Sequence, residues 1–303
     1  MAVRVLLAAL VAAVVVAPAS GGRHSSAPLT PYAGLGTWLD IYATSYWDKP
    51  GRQVAAMARD GVKTLYLQTG NYSQQANRNE LGRFVDAAHA HGLRVVAWYL
   101  PSFAHPEQDA RRSLQAIRFR SAHGERFDAF ALDIEASLVG SESLRNQRLL
   151  SLSRRLRKAV GPTYALGAII PSPLGIRRHL HYWRSFPYRG LGRIYDVFLP
   201  MAYFTDHDLH GIRAVRSYLA ADVAIIRNRT GKPHVPVHLI GGISRSMTKA
   251  DTTGFMRAVA DCRPLGYSLY AWSVMRSGMW PKLRGPASDP TGKACTQSGA
   301  PAS

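Results

Sequence analysis

The chain has 303 residues, of which 47% are hydrophobic, enough to build a substantial core. It carries 38 Lys and Arg against 19 Asp and Glu, a formal net charge of +19, which favours anionic partners. The excess is mostly arginine spread along helical segments (Arg111-Arg112, Arg154-Arg155, Arg177-Arg178), with no dense basic arm and no RNA-binding motif, so nucleic acid is not an expected partner.

Met1 to Arg4 is a short basic start, residues 5–16 are apolar, and Ala17-Pro18-Ala19 has the small-x-small form of a cleavage site. Residues 1–19 therefore read as a secretory signal peptide, which predicts a secreted or cell-wall-associated protein. The apolar run is too short to span about 30 Å of hydrocarbon, and no later segment is long enough. Residues 20–31 read as a linker rich in Gly, Ser and Pro. Residues 32–285 read as one domain and residues 286–303 as a low-complexity tail. In an exported protein the two cysteines, Cys262 and Cys295, are expected to form a disulfide. They lack the neighbouring His spacing of a metal site, and no metal or cofactor is expected.

Between residues 32 and 285 one pattern repeats: a short apolar run, turn residues, then an amphipathic segment. The apolar runs are Gly36–Tyr42, Val62–Thr69, Arg94–Leu100, Phe127–Glu135, Tyr164–Ile170, Tyr195–Tyr203, Val235–Ile240 and Tyr267–Ser273. Helical segments lie between them. Leu81, Phe84, Val85 and Ala88 recur at helical spacing before Gly92, and Leu149, Leu152, Leu156 and Val160 do so before Gly161. A final helix is expected over Met275–Leu283. Alternating strand and helix units of this number predict an α/β fold, a (β/α)8 TIM barrel in a single domain. An open doubly wound sheet is the other option. The absence of a Gly-rich phosphate fingerprint after the first strand weighs against it.

In such a barrel the chemistry sits at the C-terminal ends of the strands. Those ends offer Asp40 and Tyr42 on strand one, Gln68 on strand two and Trp98 on strand three. Strand six offers Met201 and Tyr203, with Asp206 just beyond, and strand eight ends at Trp272. Asp40 also suits a helix cap, and Asp206 a helix start. Strand four is the most informative. Phe127 to Glu135 is almost wholly apolar and ends in Asp133 and Glu135. These point to one side of the strand, with Cα atoms roughly 6–7 Å apart. Two like charges at a buried strand end raise at least one pKa and supply a proton donor near neutral pH. Paired carboxylates of this kind are what cleavage of a glycosidic bond needs. Phosphodiester cleavage would want His and metal ligands at the mouth, and His105, His207 and His210 form no such pattern.

The residues Asp128-x-x-Ala131-x-Asp133-x-Glu135 resemble the D-x-x-D-x-D-x-E motif on strand four of the family 18 chitinases. Met201-Ala202-Tyr203 resembles their M-x-Y segment, and Trp272 falls where their strand-eight Trp lies. The resemblance implies Glu135 as general acid, Asp133 orienting a substrate N-acetyl group, and Tyr203 hydrogen-bonding it. The acetamido carbonyl would then be the nucleophile. The motif's second Asp is Ala131 here, its Gly is Ala129, and Phe204 follows Tyr203 where Asp is frequent. A weaker resemblance links Leu132-Asp133-Ile134-Glu135 and Leu39-Asp40-Ile41 to the family 25 muramidases, which implies peptidoglycan as substrate.

Two functions follow as expectations. The first is a secreted, monomeric glycoside hydrolase acting on an N-acetylated, cell-wall or extracellular polysaccharide, with an anionic cell-wall polymer as a further partner. The alternative is a catalytically weak barrel that binds carbohydrate or cell wall.

Overall fold

The structure, a computed structural model, describes residues 28–285. The expected signal peptide, most of the linker, the tail and Cys295 lie outside the described residues.

The chain enters through a 3-10 turn, Thr30–Tyr32, and then alternates strands and helices. In order these are β1 (Gly34–Leu39), α1 (Thr44–Trp47), α2 (Pro50–Arg59), β2 (Thr64–Asn71), α3 (Arg78–Ala90), β3 (Arg94–Leu100) and α4 (Pro106–Ile117). Then come β4 (Ala129–Asp133), α5 (Glu142–Val160), β5 (Leu166–Pro171), α6 (Pro173–Arg178), α7 (Leu180–Trp183), α8 (Tyr188–Gly192) and β6 (Val197–Met201). The last are α9 (Ile212–Thr230), β7 (His238–Ile243), α10 (Lys249–Cys262), β8 (Gly266–Tyr270) and α11 (Trp280–Leu283). All eight strands are parallel and close in sequence order, with β8 pairing back to β1. This is the expected (β/α)8 barrel.

Local signals set the helix boundaries. Asn77 caps α3 by accepting from the amides of Asn79 and Glu80, and α3 gives way to Gly92 at φ +72°. Thr248 and Asp251 form a reciprocal capping box at the start of α10. The expected helix over Met275–Leu283 is replaced by 3-10 turns at Trp272–Val274 and Ser277–Met279, with only Trp280–Leu283 helical. Pro281 explains the late start, because proline fits the first turn of a helix and not its interior.

Strand side chains alternate between two apolar layers. Outward residues such as Leu39, Leu67, Phe130, Leu132 and Ile170 pack beneath the helices. Inward residues such as Trp38, Tyr66, Trp98, Ala131, Ile169 and Leu199 fill the barrel. The strand-end residues at the C-terminal mouth continue this inner set.

Candidate active site

Ala129, Ala131 and Asp133 of β4 are wholly or almost wholly buried and face inward. The strand ends at Asp133, so Glu135 lies two residues past it rather than within it. Ile134 still bonds back to the carbonyl of Ile169 at 2.8 Å, which carries the chain onward in line with the strand. Tyr182 of α7 donates its hydroxyl to the Glu135 carbonyl and fixes the backbone there. Arg145 donates to the Tyr182 carbonyl at 2.8 Å and lies over the Trp183 ring at 4.0 Å.

The two carboxylates feel each other and their burial. Burial pushes the Asp133 pKa well up, and the charge of Glu135 pushes it further. Burial alone raises Glu135. Asp133 Oδ1 is buried without a hydrogen-bond partner. A pair in this state retains a proton where exposed carboxylates have lost theirs.

Aromatic rings fill the inner layer of the barrel, and Tyr203 and Tyr270 lie close enough to the pair to feel its charges. Trp38 stacks on Tyr66 with ring centroids 4.2 Å apart and meets Trp98 edge-on at 6.0 Å. Tyr203 lies 5.9 Å from Tyr270. Burial first, then the neighbouring Tyr270 and the charges of Asp133 and Glu135, drive the Tyr203 pKa well above 10, so its hydroxyl keeps its proton. The Trp98 Nε1–H is buried without an acceptor.

Beneath the rings lies a polar network. His238 Nδ1 sits 2.9 Å from both the Tyr66 hydroxyl and the Tyr32 carbonyl, and its Nε2 lies 2.9 Å from Ser268 Oγ. Trp38 Nε1 donates to that Ser268 Oγ at 2.7 Å. With this proton accepted, Ser268 can donate its own to His238 Nε2, which leaves Nδ1–H for the Tyr32 carbonyl. Burial lowers the His238 pKa to about 4, so the ring is neutral.

The remaining residues expected from sequence divide. Asp40 Oδ1 accepts from the amides of Tyr42 and Ala43 at 2.9 and 3.0 Å, and Oδ2 accepts from the Tyr270 hydroxyl at 2.8 Å. It is thus both a turn cap and a wall group. Gln68 is buried and accepts from the Ile41 amide at 3.0 Å, holding the β1 turn. Tyr42 is 65% exposed on the rim, its hydroxyl accepting from Asn71 Nδ2 at 2.7 Å. Met201 packs with the inner set. Asp206 is exposed in the 3-10 turn after β6, its amide donating to the Tyr203 carbonyl at 3.0 Å. Trp272 leaves the inner set. Its Nε1 donates to Gln53 of α2 at 2.9 Å, and its ring lies 5.1 Å from Trp280. The inward strand-eight aromatic is Tyr270, which is not among the residues expected from the sequence, and neither are Trp38, Tyr182 and His238. Parity could have found two of them. Trp38 and Tyr270 each lie two residues before a chosen position, on the same strand face. Nothing in the sequence ties Tyr182 to Glu135. Among the described residues no His, Cys, Asp and Glu group could hold a metal ion.

No family model matches this chain, and no curated protein matches it. Solved structures do. The endo-β-1,4-mannanase of Thermotoga petrophila is 12% identical, covering 80% of this chain and 68% of its own, with a TM-score of 0.61. The Bacillus cereus spore cortex-lytic enzyme SleL is 9% identical, covering 83% and 73%, with a TM-score of 0.61. A class V chitinase from Pseudomonas fluorescens is 12% identical, covering 83% and 98%, with a TM-score of 0.57. The fold is thus that of TIM-barrel glycoside hydrolases, chitinases among them.

Proposed function

We propose that the protein is a glycoside hydrolase acting on an N-acetylated polysaccharide, with Glu135 as general acid. One observation carries the reading. Asp133, buried, and Glu135, partly buried, form a carboxylate pair at the C-terminal mouth in which the charge of Glu135 bears on Asp133, and Asp133 Oδ1 has no protein partner there. Sugars present apolar C–H faces and polar rims, and the partly exposed rings of Tyr203 and Tyr270 offer matching surfaces beside the carboxylates.

In this mechanism Glu135, whose hold on its proton is strengthened by burial, gives that proton to the glycosidic oxygen as the C1–O bond breaks. The substrate's acetamido carbonyl oxygen attacks C1, and Asp133 accepts the amide N–H that becomes more acidic. Tyr203 keeps its proton and donates to the acetamido oxygen. Water then attacks C1, Glu135 takes its proton, and the acetamido group is restored. Asp40 is already engaged by two amides and a phenol, which favours the acetamido group over Asp40 as nucleophile. Export to the cell exterior or wall, and monomeric action there, complete the proposal.

Chitin, peptidoglycan and acidic exopolysaccharides screened with wild type and Glu135→Gln test it. Release of reducing ends from an N-acetylated glycan by wild type only is the expected outcome. Equal release by both proteins would remove Glu135 from its role. Binding without release by either would move the reading to a carbohydrate-binding barrel, which the buried Ala131 in place of an acid beneath Asp133 would then explain.

A further inference from the structure

Away from the mouth, the outer face of α4 carries Arg111, Leu114, Gln115 and Arg118 at the spacing that puts them on one side of a helix. Arg118 caps the helix end. Arg155 of α5 and Arg78 of α3 flank this stripe, and these six residues, with Glu107, line an open groove of about 500 Å3. Its one carboxylate is Glu107, which accepts from Arg155 Nη1 at 2.8 Å. Four guanidinium groups therefore face one acid. Arg111 and Arg118 are exposed and make no ion pair with any described residue. Arg78 is held in place: it lies over the Phe119 ring at 4.8 Å and donates to the Arg120 carbonyl at 3.2 Å.

We propose that this groove binds a segment of a carboxylate-bearing polysaccharide. The guanidinium fork matches a planar carboxylate in two parallel hydrogen bonds. Arg111 and Arg118 are seven residues apart, roughly 10 Å along the helix axis, so successive anions of an extended chain can be met in turn. Leu114 and the arginine methylenes give the apolar surface a sugar ring needs between its charges. No aromatic side chain lines the groove, so it lacks the stacking platform that single-stranded nucleic acid uses. The groove also adjoins the rim of the mouth. Gln75, in the loop between β2 and α3, donates to Gln115 at 3.3 Å, and Asn71 at the end of β2 holds the Tyr42 hydroxyl. A polymer passing Tyr42 would cross this loop to reach the arginines. Binding here needs no chemistry at the mouth, so the inference stands independently of the glycosidase reading.

The test uses the full chain and measures polygalacturonate binding at low salt, with an uncharged glucan as reference. Arg111→Glu with Arg118→Glu is compared with Arg213→Glu plus Arg257→Glu. The control pair is exposed on α9 and α10 and carries the same change of net charge. The groove variant should weaken Kd by about tenfold or more and the control by less than about threefold. Thermal melts check folding. If the groove variant melts lower, Arg111→Gln with Arg118→Gln is read instead, and it should lose at least about threefold. Four results would overturn the proposal: no binding by wild type, equal binding of the uncharged glucan, equal weakening by both charge-reversed pairs, or no weakening in the groove variant. Tighter binding of a single-stranded oligonucleotide at the same arginines would replace it with a nucleic-acid site.

Discussion

In the lower part of the barrel interior, His238, Tyr66, Ser268 and Trp38 hydrogen-bond to one another and to the Tyr32 carbonyl. At the mouth above, Asp133 Oδ1 and Trp98 Nε1 are equally buried and have no partner. An unsatisfied buried polar group costs about 1–3 kcal/mol, whereas a satisfied one is close to neutral or mildly stabilising. The lower network thus satisfies its own polar groups, whereas the mouth keeps two that no described protein group meets. That contrast separates a scaffold from a site more sharply than residue type does, since both ends mix aromatic and polar groups.

The largest expected effect lies at the unsatisfied end. Glu135→Gln keeps the shape and hydrogen-bonding capacity of the side chain but cannot supply the proton that the proposed mechanism requires. Turnover should fall by about 10²–10⁴-fold, measured as reducing ends released, while glycan affinity stays near wild type. Parallel loss of affinity and turnover would place Glu135 in binding instead.

The satisfied end should respond in stability. His238→Ala leaves the Tyr66 hydroxyl and Ser268 Oγ short of a partner and opens a cavity. Urea unfolding should show a loss of about 3 kcal/mol. A loss below about 1 kcal/mol would mean that the network does not hold the barrel floor. The wild type carries a pH signature of the same network. The His238 pKa falls on folding, so the unfolded chain binds its proton first, and this contribution to stability is lost as pH falls from about 6.5 towards about 4.

The sign reverses at the mouth. Asp133 titrates higher in the folded chain than in the unfolded one. Its contribution is therefore most favourable below its ordinary pKa, near 3.9, and is lost as pH rises through its raised folded value. Asp133→Asn removes that penalty. At neutral pH it should raise stability by about 1–2 kcal/mol while lowering turnover of N-acetylated glycans. A less stable Asn variant at pH 7 would show that Asp133 is structurally satisfied after all, and the contrast between the two ends would fail.

The barrel was readable because its signal is redundant. Each strand announces itself by an apolar run and most larger helices by spacing and a terminal Gly or cap, so an error of two residues at an end changes nothing. The Asp133 and Glu135 pair stood out for the same reason: two acids at the end of an apolar run violate the local pattern. The wall of the site did not stand out. Tyr270 and Trp38 look like ordinary strand aromatics, and only closure of the barrel brings Tyr270 to Asp40 and Trp38 to Ser268. Trp272 failed for the complementary reason. Period-two counting continues the strand, but the chain turns into a 3-10 turn at Trp272 and delivers the ring to Gln53 and Trp280. The expected Cys262–Cys295 pairing lies partly outside the described residues; Cys262 itself is buried at the end of α10.

Asp40 lies between the two ends in character, and its substitution should have the smallest effect. It is a carboxylate at the mouth, yet both oxygens are engaged: Oδ1 by two turn amides and Oδ2 by Tyr270. Asn also supports turns of this kind through its side-chain oxygen, so Asp40→Asn preserves the geometry while removing the charge. If the substrate's acetamido group is the nucleophile, no charge at Asp40 is needed in the transition state. Turnover should then stay within about threefold of wild type, a barrier change under about 0.7 kcal/mol. In the arrangement implied by the muramidase resemblance, Asp40 would carry part of the chemistry, and the same substitution would cost about 10²-fold or more. Measuring kcat and KM separately decides between them. A fall in kcat alone would draw Asp40 into the chemistry with Glu135. A rise in KM alone would leave it a wall group whose task is to hold Tyr270 against the bound sugar.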